Sequence, residues 1–229
     1  MARKSAQSGR GGLGRSKHVR VKTARGRKSS STRWLQRQLN DPFVREAQRL
    51  GYRSRAAFKI IELHERFGFL KRGARVIDLG AAPGGWSQIA AQHVGGDGIV
   101  VALDLHAMEP LAGVTVLEGD FYDDHIIDSL IDVIGGKVDV VLSDMAAPAT
   151  GHSNTDHLRI VGLVEAAYDF ARAVLAADGT FVAKVFQGGT EQNLLAVLKG
   201  DFSKVAHAKP KSSRKESSEL YLVASGFRG

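Results

Sequence analysis

The sequence has no cysteine, five prolines, three methionines and two tryptophans, and aromatic residues fill only 7% of its 229 positions. Without cysteine there is no disulfide scaffold, no cysteine-ligated zinc or iron–sulfur centre, and no thiolate nucleophile of the kind that methylates pyrimidines at carbon 5. No apolar run approaches the roughly 18 residues of a membrane span, and the basic amino terminus is not followed by the apolar segment of a secretory signal. A cytoplasmic protein without membrane contact is therefore expected. Scarce proline beside 26 glycines and 43% hydrophobic residues suits a compact body with many tight turns, long enough for one substantial α/β domain and short for two.

Acidic residues are also absent where basic ones crowd. Residues 1–33 hold 11 Lys and Arg and no Asp or Glu, residues 76–198 hold 4 against 17, and residues 199–229 hold 7 against 3. Basic ends enclose an acidic middle, which fits a polyanion met by the ends of the chain. Residues 1–32, rich in Ser, Gly, Arg and Lys, lack the apolar side chains that would offset the entropy of ordering, and a basic flexible extension is expected there. It reads either as an arm that releases counterions from nucleic acid or as a solubilising tail.

Residues 34–43 and 44–67 read as helices, the second placing Arg55 and Lys59 on one face. Strand candidates follow at 74–79, 99–103, 114–117, 138–142, 180–186, 202–207 and 220–224, with helices at 85–93, 158–175 and 191–199. Strands separated by helical crossovers make an open, mostly parallel seven-stranded sheet with helices on both faces.

The strongest local motif is Asp78-Leu79-Gly80-Ala81-Ala82-Pro83-Gly84-Gly85-Trp86, at the carboxyl end of the first sheet strand. Its glycines admit a ligand close to the backbone, and the next helix start offers unpaired N–H groups. It is neither the dinucleotide fingerprint, since three non-glycines separate Gly80 from Gly84, nor a P-loop, since Gly-Lys-Ser/Thr is absent. Asp104 closes the second strand, where a carboxylate can accept from two ribose hydroxyls, and Asp120 follows the third, where it can accept from an adenine amino group. An acidic pocket opposes a diphosphate and suits a sulfonium cofactor, S-adenosylmethionine.

Asp144 closes the fourth strand, and Lys184 sits anomalously in Phe181-Val182-Ala183-Lys184-Val185-Phe186. Glu219 and Lys59 supply a further carboxylate and amine. Two amines and two carboxylates converging above a sheet could deprotonate a weak acid such as a ribose hydroxyl. Lys184 could be the base if a neighbouring ammonium and partial burial lower its pKa, with Asp144 orienting it. The Asn/Asp-Pro-Pro-aromatic clamp for an exocyclic base nitrogen is absent, and no metal is required. Arg53, Arg55, Lys209, Lys211, Arg214 and Lys215 are candidates for RNA phosphate contacts or a solvated basic patch, whereas Phe121, Met145 and Phe186 read as packing.

Arg53-Ser54-Arg55-Ala56-Ala57-Phe58-Lys59, Asp78 through Gln88, Gly119-Asp120-Phe121, Ser143-Asp144-Met145-Ala146, Phe181 through Gly188 and Glu219 through Ala224 appear in an order that resembles the FtsJ-like family over residues 33–227. Within it, the resemblance is to bacterial methyltransferases that modify a 23S ribosomal RNA uridine at the ribose 2'-oxygen. It implies a doubly wound, Rossmann-like methyltransferase domain over 33–229 with RNA-binding amino-terminal helices, and a Lys-Asp-Lys-Glu tetrad at Lys59, Asp144, Lys184 and Glu219. Lys184 would accept the proton, and Gly84, Trp86, Asp104, Asp120 and Asp144 would line the S-adenosylmethionine pocket. The implied partner is the large ribosomal subunit at a late stage of assembly; a monomer is expected. Ala147, which delays the proline after Asp144-Met145-Ala146, departs from the family's Asp-Met-Ala-Pro form. A transfer RNA ribose methyltransferase and a non-catalytic RNA-binding assembly factor are the alternatives.

Overall fold

The computed structural model describes residues 19–20, 29–148, 150–187 and 192–229. The expected extension over 1–32 falls almost wholly outside them, as does Gly188. The chain divides into two units, 1–46 and 47–229. In the first, helix α1 (Ser29–Asn40) begins four residues before the expected boundary, and Asn40 exchanges two 2.8 Å hydrogen bonds with the backbone of Val19. Helix α2 (Pro42–Leu50) runs across the division.

The expected helix over 44–67 is two helices, α2 and α3 (Ala56–Phe67), because Gly51 turns the chain at φ +72°. The freed backbone is satisfied from elsewhere: the Gln88 side chain donates to Gly51 O (2.9 Å) and accepts from Arg53 N (3.0 Å). Arg55 is consequently the cap of α3, just before the helical body that carries Lys59.

In the second unit the strands are β1 (Arg75–Leu79), β2 (Ile99–Asp104), β3 (Thr115–Glu118), β4 (Val138–Ser143), β5 (Leu175–Phe186), β6 (Phe202–Ala208) and β7 (Glu219–Phe227). They form one sheet in the order β3-β2-β1-β4-β5-β7-β6, parallel except that β7 runs antiparallel to both β5 and β6. The chain winds outward from β1 in both directions, so the carboxyl ends of β1 and β4 lie at a switch point, where such sheets hold ligands. Helices α4 (Gly85–Val94), α5 (Asp124–Ile134), α6 (Ser153–Val174) and α7 (Gln192–Asp201) complete the fold. Strand β5 starts earlier than expected: Leu175 pairs with Val138, the register shifts, and pairing resumes at Thr180 with Val140.

Period-two alternation sends successive strand residues to opposite faces. Ile77, Leu79, Val101, Leu103 and Val141 join the core that includes α5 and α6 residues, whereas Val76, Val100, Val140 and Leu142 join the core with Ile60, Leu63, Trp86 and Ile89 of α3 and α4. Both faces are buried, as a parallel sheet requires. No helix among the described residues is long and apolar enough to cross a membrane.

Candidate active site

The turn after β1 is folded over the end of β2. Gly80 N and Ala81 N both donate to Leu103 O, at 2.9 and 3.1 Å, and Ala82 N donates to Asp104 Oδ2 at 2.9 Å. Gly80 permits this closeness: its φ is +72°, and a Cβ there would lie 2.8 Å from Met145 Cα and N. The result is a cavity of about 680 Å³ at the carboxyl ends of the first four strands, within the range of small-molecule sites. Asp104, Asp120 and Asp144 line it together with apolar Leu79, Leu103 and Met145. Three carboxylates against Arg159 make it suited to a cationic ligand, and the expected sulfonium cofactor fits that chemistry.

Gly84 and Trp86 do not line this cavity. Gly84 (φ +98°) caps α4, and a Cβ there would meet Met108 Sδ at 3.0 Å and Arg53 Cδ at 3.2 Å. The Trp86 indole is buried, donates to Ala56 O (3.0 Å) and lies 5.4 Å from the Tyr221 ring, so its side chain braces α3 and β7. Phe121 and Met145, expected only to pack, also line the cavity.

Asp78 stands behind the turn, fully buried, with Oδ2 accepting from Ser87 Oγ at 2.5 Å. Burial pushes its carboxyl up to about 7; the Ser87 hydroxyl opposes this, and the charges of Asp144 and Asp104 add to it.

Lys59, Asp144, Lys184 and Glu219 come from α3, the end of β4, β5 and β7, and the structure brings all four together. Lys184 Nζ lies 3.1 Å from Asp144 Oδ1 and donates to Asp144 O at 2.5 Å. Lys59 Nζ lies 2.7 Å from Glu219 Oε1. Sheet register explains the assembly: Lys184 pairs with Tyr221, and Phe186 with Glu219. The Tyr221 hydroxyl joins the two ion pairs, accepting from Lys59 Nζ at 3.0 Å and donating to Asp144 Oδ1 at 3.1 Å. Asp144 also lines the cavity, so the polar cluster adjoins the ligand space there.

Burial raises the Tyr221 phenol well above its ordinary pKa, and the neighbouring Asp144 and Glu219 charges act in the same direction, keeping the hydroxyl protonated. Burial alone would raise Glu219, but Lys59, Lys184 and the Ser213 hydroxyl together hold its carboxyl below the usual range. Tyr221 and Ser213 escaped the sequence reading. For Tyr221 a signal existed: two residues beyond Glu219 on one strand, it must share that residue's face.

Among the candidate phosphate contacts, Arg53, Arg55 and Lys209 are engaged by backbone carbonyls. The Arg53 guanidinium donates to Pro83 O (3.3 Å), Glu109 O (2.6 Å) and Pro110 O (2.5 Å), tying the glycine turn to the loop after β2. Arg55 donates to Ser212 O, and Lys209 to Ser217 O at 2.7 Å. Lys211 and Lys215 are exposed and Arg214 is half-buried.

Comparison with known proteins places this geometry in context. The model of the FtsJ-like methyltransferase family matches residues 52–227. Ribosomal RNA large subunit methyltransferase E of Paramagnetospirillum magneticum is 60% identical over 100% of this chain and 96% of its own. The protein of that name from Xanthobacter autotrophicus is 59% identical over 96% of this chain and 88% of its own. A crystal structure of a Plasmodium falciparum protein described as a ribosomal RNA methyltransferase superposes with a TM-score of 0.69 at 32% identity, covering 78% of this chain and all of that one.

Proposed function

The chain belongs to the FtsJ-like family of S-adenosylmethionine-dependent methyltransferases, and from that premise we propose that it methylates the ribose 2'-hydroxyl of one uridine in the 23S ribosomal RNA of the large subunit. The relatives named as large-subunit ribosomal RNA methyltransferases support the substrate class. The observation that carries the chemistry is the pair of ion pairs joined through Tyr221 at the cavity edge. We extend the proposal to the cytoplasm, where a bacterial ribosomal subunit is found, and to a monomer, because one chain carries a complete tetrad and needs no second copy to finish the site.

When bound, S-adenosylmethionine supplies a sulfonium methyl group open to in-line displacement. Asp104 and Asp120 would hold the nucleoside part, Asp104 as an acceptor for ribose hydroxyls and Asp120 for the adenine amino group. Asp144 orients Lys184, taking two of its N–H directions. Lys184 would accept the 2'-hydroxyl proton during that displacement. Lys59 and Glu219 fix the target ribose beside it. Exposed Lys211 and Lys215, with the ten Lys and Arg of residues 1–28, contact the RNA backbone without reading its bases.

The test incubates the protein and labelled S-adenosylmethionine separately with large subunits, free ribosomal RNA and transfer RNA, then maps alkali-resistant sites. Label at one large-subunit uridine is expected; label confined to transfer RNA overturns the substrate. Lys184→Ala should lower transfer at least about a hundredfold with cofactor affinity retained, and preserved turnover removes Lys184 as base.

A further inference from the structure

Residues 209–218, between β6 and β7, form a loop that is polar in composition and yet seated. Ser212 is 0% and Ser213 5% exposed, whereas Lys211 and Lys215 face solvent. Helix α3 holds the loop from one side: the Glu62 carboxylate accepts from Lys211 N at 2.5 Å and Ser212 N at 2.9 Å, and Arg55 donates to Ser212 O. Internal bonds close the loop, with Ser213 N on Pro210 O (2.9 Å) and Lys209 Nζ on Ser217 O (2.7 Å).

From this anchored loop, Ser213 Oγ donates to Glu219 Oε1 at 3.0 Å, the same oxygen that takes Lys59 at 2.7 Å. We propose that Ser213 is a positioning residue for methyl transfer: it fixes the Glu219 carboxylate, and through it Lys59, in the geometry that receives the target ribose, with Glu62 as the anchor that keeps the loop in place. The inference rests on the reading of the tetrad as the reacting site.

Several relations support a role through Glu219. A carboxylate oxygen accepting from both a hydroxyl and an ammonium has its position determined from two directions, whereas a lone ion pair leaves it free to swing. The same helix supplies Lys59 and Glu62, one turn apart, so the amine and the loop anchor move as one body. The loop also exposes Lys211 and Lys215, two residues to either side of Ser213, where a polyanion reaching the site could be met.

The charged and titratable groups around Glu219 are Lys59, Lys184, Tyr221 and Asp144. Ser213 is one of the groups that keep this carboxyl ionised against the effect of burial, so its loss moves Glu219 upward.

The experiment compares full-length wild type, Ser213→Ala and Ser213→Thr on large ribosomal subunits with labelled S-adenosylmethionine. Loss of one hydrogen bond to a charged group should lower kcat about tenfold in Ser213→Ala, with the S-adenosylmethionine KM unchanged and the loss reversed by threonine. Wild-type kcat in Ser213→Ala, or no rescue by threonine, overturns the proposal. Should the alanine variant not fold, Glu62→Gln takes its place: it keeps Ser213 but loosens the anchor, and an unchanged kcat again overturns it. Titration of the Glu219 carboxyl carbon by NMR separates the two readings. If wild type labels none of the RNAs, the substrate reading fails. An upward move of Glu219 in Ser213→Ala then still supports the positioning contact, and an unmoved titration refutes it.

Discussion

Tyr221→Phe removes one oxygen from the centre of the polar cluster and leaves the ring packed beside Trp86. The hydroxyl makes two hydrogen bonds to charged groups, Lys59 at 3.0 Å and Asp144 at 3.1 Å. Each such bond nets about 1.5–3 kcal/mol, and a buried partner left bare costs more. Here neither charge is abandoned, because Lys59 keeps Glu219 and Asp144 keeps Lys184. The combined loss should therefore stay near the value of one bond, about 2 kcal/mol. For a protein of this size each kcal/mol is about 2–4 °C, so Tm should fall by about 4–8 °C. Thermal unfolding without cofactor is the assay, since ligand binding would add its own stabilisation. A Tm within about 1 °C of wild type would show that the two ion pairs do not depend on the bridge, and the reasoning from Tyr221 outward would fail.

Other perturbations give separable outcomes. Asp78 stays protonated up to about 7 in the native protein because it is buried, whereas the unfolded chain releases that proton near the ordinary 3.8. Wild-type stability is thus lost as pH rises through that window, and Asp78→Asn should gain on wild type from acid to neutral pH in denaturant unfolding; a difference constant with pH contradicts the assignment. Gly80→Ala would place a methyl 2.8 Å from the Met145 backbone at a positive φ, so lost cofactor binding and a lower Tm are expected, and unchanged calorimetric affinity would show that the turn can yield. Asp104→Ala should weaken cofactor binding first, because it removes both the proposed ribose acceptor and the acceptor for Ala82 N; a wild-type titration curve would show that Asp104 does not hold the cofactor.

Much of the site was legible because the fold converts order along the chain into position. Asp104, Asp120 and Asp144 end or follow successive parallel strands, so one sheet edge collects them. Lys184 betrayed itself as a charge in an apolar strand. Tyr221 did not, because in Leu220-Tyr221-Leu222-Val223 a tyrosine reads as packing, and the antiparallel register that sets it against Lys184 depends on β7. Trp86 misled in the opposite sense: its place in the glycine motif suggested a ligand contact, but its indole packs in the core on the α3 and α4 face. Arg53, Arg55 and Lys209 were read by charge alone, and charge does not disclose the backbone carbonyls that occupy them. The break at Gly51 was hidden because its compensation comes from Gln88, 37 residues away.

The placement of β7 between β5 and β6 also sets an order of events during synthesis. The first four strands, with every carboxylate that lines the cavity, are made before residue 149. Glu219 and Tyr221 arrive more than 70 residues later, on a strand that must slot between two neighbours already made. The growing chain thus has every cavity carboxylate before it has Glu219 or Tyr221, and the reacting cluster is complete only once the closing strand is made.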